Sequence, residues 1–145
     1  MAKLGDPTDF SYRVNKVTKV VDGDTIDVII DLGFDIMYKS RVRLFGIDTP
    51  ESRTRDLVEK KYGLMSKDFL KDALKNADKI VIKTHKGEET GKFGRILGEI
   101  FCDGLNVNQE MCNQGHAVAY YGQSKDDIQE EHMKNRKILG DLGIV

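Results

Sequence analysis

Hydrophobic residues alternate with polar ones over three early stretches of the chain. Val14, Val17 and Val20 recur between Tyr12 and Val21, Ile26 to Ile30 forms a second apolar run, and Met37 to Phe45 a third. Short runs of this kind, rich in β-branched residues, predict strands. Val21-Asp22-Gly23-Asp24-Thr25 separates the first two, and Asp-Gly between β-rich runs predicts a tight turn. The third run continues through Arg41-Val42-Arg43-Leu44-Phe45-Gly46-Ile47-Asp48-Thr49-Pro50-Glu51. It should stay extended as far as Asp48, because Pro50 has no amide donor and pushes Thr49 out of helical geometry. Ser52 to Lys61 is polar and charged, which predicts a mobile surface loop.

From Leu64 the period changes. Met65, Phe69, Leu70, Ala73, Leu74 and Ala77 recur at helical spacing and predict a helix from Leu64 to Asn76. Lys79 to Thr84 and Phe93 to Phe101 predict a fourth and a fifth strand, joined by a polar hairpin at Lys86 to Gly91. After a turn at Asp103-Gly104, Asn106 or Asn108 can cap a short helix ending at Gly115. Ala117 to Tyr121 is short and apolar-aromatic, and Asp126 to Leu139 predicts a last amphipathic helix whose first turn is acidic. The fold class is therefore α+β, mainly β: a five-stranded OB-fold barrel with about three helices. Residues 1–10 form a loose lead-in, and residues 11–145 a single domain.

Composition agrees with that outline. A chain of 145 residues, 39% hydrophobic and 32% charged, is long enough to bury one core and too apolar to stay disordered. No apolar run approaches the roughly 20 residues of a membrane span. Met1-Ala2-Lys3-Leu4-Gly5-Asp6-Pro7 contains no apolar segment of signal-peptide length, so the expectation is a cytoplasmic protein, unless an export signal has been removed. Cys102 and Cys112 fit neither a redox pair nor a zinc knuckle and read as free buried thiols. Nothing points to a membrane or to an obligatory protein partner.

Charge changes the picture locally. Overall, 23 basic residues balance 24 acidic ones, which predicts weak electrostatic steering toward nucleic acid. Between Lys39 and Arg55, however, five basic residues face only Asp48 and Glu51. Arg43 together with Asp48 and Glu51 supplies hard oxygens for a divalent ion and a planar fork for a phosphate. Taken alone, Asp48-Thr49-Pro50-Glu51 equally suits a strand-to-helix turn with solvated acids. Asp22 reads as a turn residue, whereas Asp24 starts a strand with its carboxylate free of turn duty. An EF-hand loop is excluded, because Asp27 and Gly33 stand where Gly and Glu are required. In Lys92-Phe93-Gly94-Arg95, the glycine lets Arg95 turn away from the sheet, although a surface hairpin also explains it. Tyr120 or Tyr121 can stack on a base. His85, His116 and His132 are scattered without metal-site spacing and read as structural or surface residues.

Three of these motifs occur in register: Val21 to Thr25, Arg43 to Glu51 and Lys92 to Arg95. Together with Asp103-Gly104-Leu105-Asn106-Val107-Asn108 and Gln114-Gly115, they resemble the staphylococcal nuclease (thermonuclease) family over about Val17 to Tyr121. The resemblance implies a Ca²⁺-dependent nuclease that cuts DNA or RNA and leaves 3′-phosphate ends. It implies metal-binding roles for Asp24, Asp48 and the Thr49 carbonyl, with Asp22 in support. It further implies Glu51 as the residue acting on the attacking water, and Arg43 and Arg95 as phosphate-binding arginines. Lys92, Phe93 and Tyr120 match positions that contact nucleotide; Phe93 departs from the tyrosine of the best-known member, and the region after Tyr120 diverges. The competing expectation is a non-catalytic OB-fold module that binds nucleic acid or protein, but such modules lose the acids and arginines that this chain keeps.

Overall fold

A computed structural model describes residues 10–85 and 95–141. Five strands form the barrel: β1 (Ser11–Asp22), β2 (Thr25–Asp31), β3 (Met37–Leu44), β5 (Ile80–His85) and β6 (Arg95–Cys102). They run in the order β3-β2-β1-β5-β6, and a parallel pairing of β3 with β6 closes the ring. Three register shifts along β1 mark bulges. Bulges coil a strand, which lets β1 pair with β2 along most of its length and with β5 at its start. The remaining strands are short: β4 (Ile47–Asp48) pairs with β8 (Val118–Ala119), and β7 (Leu105–Asn106) extends β6.

Alternation places Ile26, Val28, Ile30, Val42, Leu44, Ile82 and Ile100 inside the barrel. Helix α1 (Leu57–Lys75) covers it with Leu70 and Leu74, and α2 (Val107–Asn113) with Val107 and Met111. Asn106 caps α2 by accepting from the Gln109 amide. Buried Asn108 staples the closing seam: its Nδ2 donates to the carbonyls of Phe45 (2.9 Å) and Gly98 (3.1 Å), and its Oδ1 accepts from the Ile100 amide. The last helix, α3 (Lys125–Asp141), lies against the β4–β8 end. Among the described residues, no helix is long and apolar enough to cross a membrane.

Two expectations need correction. The central strand does not run unbroken to Asp48: it ends at Leu44, and β4 starts a separate small sheet after Gly46. Gly46 has φ +80°, a left-handed conformation that turns the chain there. The segment Ser52 to Lys61 is likewise not all loop, since α1 begins at Leu57. Asp56 caps this helix by accepting from the amides of Val58 and Glu59. Leu57 is 77% exposed and Val58 56%, so the first turn shows no buried stripe for a periodicity argument to detect. The predicted hairpin at Lys86 to Gly91, and the expected nucleotide contacts of Lys92 and Phe93, lie outside the described residues.

Candidate active site

The β1–β2 turn brings the first acids to one end of the barrel. The Leu44 amide donates to the Asp24 carbonyl (2.8 Å), and Thr25 pairs with Arg43 across β2 and β3. Asp24 and Arg43 are therefore neighbours by backbone register. Arg43 Nη2 lies 3.4 Å from Asp24 Oδ2 and 3.5 Å from Asp48 Oδ1, and its Nη1 donates to the Leu44 carbonyl. One guanidinium nitrogen thus stands where two carboxylates converge. Asp24 is more engaged than its place in the sequence suggests: it accepts from the Thr25 hydroxyl (3.0 Å) and from the Thr49 amide (3.3 Å). Asp22 accepts from the Ser52 hydroxyl and from Arg53 Nη2.

Asp48 is carried by the two-residue β4, opposite Val118. Its second oxygen, Oδ2, lies 2.9 Å from His132 Nε2 on α3. Glu51 sits on the loop beyond Pro50, and its amide donates to Glu59 Oε2 (3.1 Å) in the first turn of α1. That loop rests directly on the helix at Gly63, where an added Cβ would fall 2.3 Å from the Glu51 carbonyl oxygen. Gly23 allows a similar approach of the turn to Ser66 and Thr49. Desolvation raises the Glu51 carboxyl above its ordinary range, and the nearby charges of Asp22, Asp24, Glu59 and Asp48 push it in the same direction.

Arg95 opens β6 opposite Arg41 and, by register, lies on the same outer face of the sheet as Arg43. Tyr120 is half-buried, and its amide donates to the Gly46 carbonyl. Tyr121 is 73% exposed, with its ring edge-on to Phe45. Of these two tyrosines, Tyr121 is the more exposed.

The sequence pattern of staphylococcal nuclease homologues matches residues 41–138, a span that holds Arg43, Asp48, Glu51 and Arg95. The chain belongs to that family. Similar proteins include endonuclease YhcR of Bacillus subtilis, 32% identical over 72% of this chain and 9% of that protein. An uncharacterized endonuclease of Escherichia coli is 36% identical over 78% of this chain and 65% of its own length. An uncharacterized protein of Methanocaldococcus jannaschii is 30% identical over 86% and 70% respectively. The chain spans about half or less of some curated relatives, 47% of one from Bacillus anthracis.

Several side chains around the site of this nuclease homologue carry no local sequence signal. Ser52 and Arg53 hold Asp22, Glu59 holds the Glu51 amide, and Gly63 makes room for the loop. His132, read from the sequence as a structural or surface residue, is buried and contacts Asp48. Its spacing to Arg136 and Leu139 places all three on one face of α3, the only hint available beforehand. His85 does read as structural, stacked on Phe45 at 3.9 Å and paired with Glu99.

Proposed function

We propose that this chain is a Ca²⁺-dependent nuclease hydrolysing phosphodiester bonds of DNA, with RNA as a second substrate. One observation carries the reading: the Asp24 and Asp48 carboxylates converge on a single nitrogen of Arg43. Two hard anionic oxygens drawn to one cationic point suit a hard divalent cation, and they lie beside a guanidinium suited to phosphate. Among the described residues, no group of three His, Cys, Asp or Glu side chains forms a complete metal cage. The remaining ligands would be the Thr49 carbonyl, water and substrate phosphate, a mixed oxygen set that Ca²⁺ tolerates.

When bound, Ca²⁺ supplies Lewis-acid polarisation of the phosphate and of a nearby water. Glu51, with its proton affinity raised by its surroundings, takes the proton of the attacking water. Arg43 and Arg95 hold non-bridging oxygens, and their hold strengthens as negative charge develops. Breaking the bond to the 5′-oxygen, which takes up a proton from solvent, leaves 3′-phosphate and 5′-hydroxyl ends.

The test is cleavage of single-stranded DNA with Ca²⁺ and with EDTA, for the wild type and Glu51→Gln. Cutting that needs Ca²⁺ and falls by roughly 10²-fold or more in the mutant is the expected result. Binding without cutting across a range of divalent ions would instead make the chain a non-catalytic nucleic-acid-binding module.

A further inference from the structure

Helix α3 is largely exposed and reaches the rest of the molecule along a stripe that includes His132, Arg136 and Leu139, spaced i, i+4 and i+7. A stripe at this spacing ordinarily buries apolar side chains. Here His132 and Arg136 are polar, and both lead to the acids of the site. His132 reaches Asp48, and Arg136 Nη2 lies 3.7 Å from Glu59 Oε1, whose other oxygen accepts the Glu51 amide. Asn135 donates to the Ala117 carbonyl, and the Arg136 guanidinium lies over the Tyr62 ring, so the helix is fixed in place on two sides.

We infer that His132 is a positioning residue for Asp48, donating Nε2–H to Oδ2 and so turning Oδ1 toward Arg43 and the cation. The tautomer follows from burial. The His132 side chain is 7% exposed, and its Nδ1 is buried with no hydrogen-bond partner among the described residues. A proton on Nδ1 would be stranded there, and would leave the Nε2 lone pair facing a carboxylate at 2.9 Å. A proton on Nε2 satisfies the carboxylate and leaves one unpaired acceptor, against a stranded donor and a lone-pair repulsion for the other tautomer. Asp48 needs such help more than Asp24 does. Its strand is two residues long, whereas Asp24 is held by the Leu44 amide, the Thr25 hydroxyl and the Thr49 amide. The terminal torsion of an aspartate is also broad, so a second anchor decides which oxygen faces the ion.

This inference rests on the reading of Asp48 as a cation ligand, and the experiment separates the two. Calcium affinity is measured by calorimetry on the full chain without substrate, for the wild type, His132→Leu, His132→Gln and Asp48→Asn, each checked for thermal stability. His132→Leu should weaken Ca²⁺ binding by about 10- to 100-fold, whereas His132→Gln, which retains an amide donor at similar reach, should recover most of it. With substrate at saturating Ca²⁺, the Leu variant should lose kcat more than it changes KM. Wild-type Ca²⁺ affinity in Asp48→Asn would overturn the ligand reading and this inference with it. A loss in Asp48→Asn with none in His132→Leu, or equal losses in the Leu and Gln variants, would overturn the positioning role alone. Nitrogen-15 spectra of the wild-type imidazole give a check that needs no mutant: an Nδ1–H tautomer for His132 would sink the inference.

Discussion

The two halves of the site are built by different means. Asp24 and Arg43 sit on the barrel, where the β2–β3 ladder fixes their register pair by pair. Asp48 and Glu51 sit on a two-residue strand and a loop, and side chains from other elements hold them there. Asp24 accepts the Thr49 amide, Glu59 the Glu51 amide, and His132 contacts Asp48 across 84 positions of sequence. A ladder shares its load over many backbone hydrogen bonds, so losing one side chain leaves the register intact. The loop half depends on single contacts. Damage there should show in rate before it shows in folding.

The largest effect tests the barrel half at Arg43, the arginine proposed to hold phosphate. Arg43→Lys keeps the charge but loses the bidentate fork, and kcat should fall by about 10²- to 10³-fold, the usual cost of losing one transition-state donor. The fold, followed by circular dichroism, should survive. A lysine enzyme with near-normal kcat would mean that only the charge matters. Gly63→Ala is the matching break in the loop half. In an unconstrained helix this change stabilises by about 1 kcal/mol. At Gly63 the new methyl would meet the Glu51 carbonyl oxygen at 2.3 Å, so the loop or the helix must move. A displacement on the order of 1 Å costs about 10²-fold in rate, and overpacking costs roughly 1–3 kcal/mol in stability. Gly140→Ala on α3, where nothing lies within 4 Å of the added Cβ, supplies the control and should be neutral or slightly stabilising.

A smaller effect should come from Asp56→Ala. Its carboxylate accepts from the Val58 and Glu59 amides at 3.0 and 3.1 Å, and removing such a cap costs about 1 kcal/mol. Because Glu59 in that same turn also holds the Glu51 amide, fraying should lower kcat by a few fold as well. A loss of stability with kcat unchanged would show that the Glu51 loop does not depend on the first turn of α1.

The same division explains what the sequence made legible. β1, β2, β3, β5 and β6 each showed as a short run rich in β-branched and apolar residues, and in β2 the buried positions alternate along the whole strand. The family motifs supplied Asp24, Arg43, Asp48 and Glu51, and the structure brings Asp24, Arg43 and Asp48 into one contact network. What stayed hidden is what holds the loop half. The start of α1 buries no stripe, so only its Asp56 cap marks it. Gly63 looks like an ordinary weak helix residue until its neighbour is known. His132 is one polar residue in a charged helix, and no local pattern says that it will meet Asp48. Gly63 and His132 depend on contacts with residues elsewhere in the sequence, and periodicity reports only which face is buried, not what lies against it.

The smallest effect sharpens the comparison from the barrel side. Asp27 and Arg41 are register partners on β2 and β3, joined by a two-pronged ion pair with Nε–Oδ1 2.8 Å and Nη2–Oδ2 3.2 Å. The Arg41 hydrogen bond, aided by its charge, holds the Asp27 carboxyl below its ordinary value of 3.8. A depressed folded-state value means that the pair stabilises fully above the unfolded value near pH 4. The contribution then fades as pH falls through the lower folded value. Arg41→Ala should therefore cost at most about 1 kcal/mol at neutral pH, as exposed pairs do, and less toward pH 2. Urea denaturation of both proteins across that range measures the difference directly. Activity at neutral pH should not change, because the Thr25–Arg43 register is set by the ladder and not by this pair. A substantial loss of activity would mean that even the barrel half leans on single side chains, and the distinction between the two halves would fall.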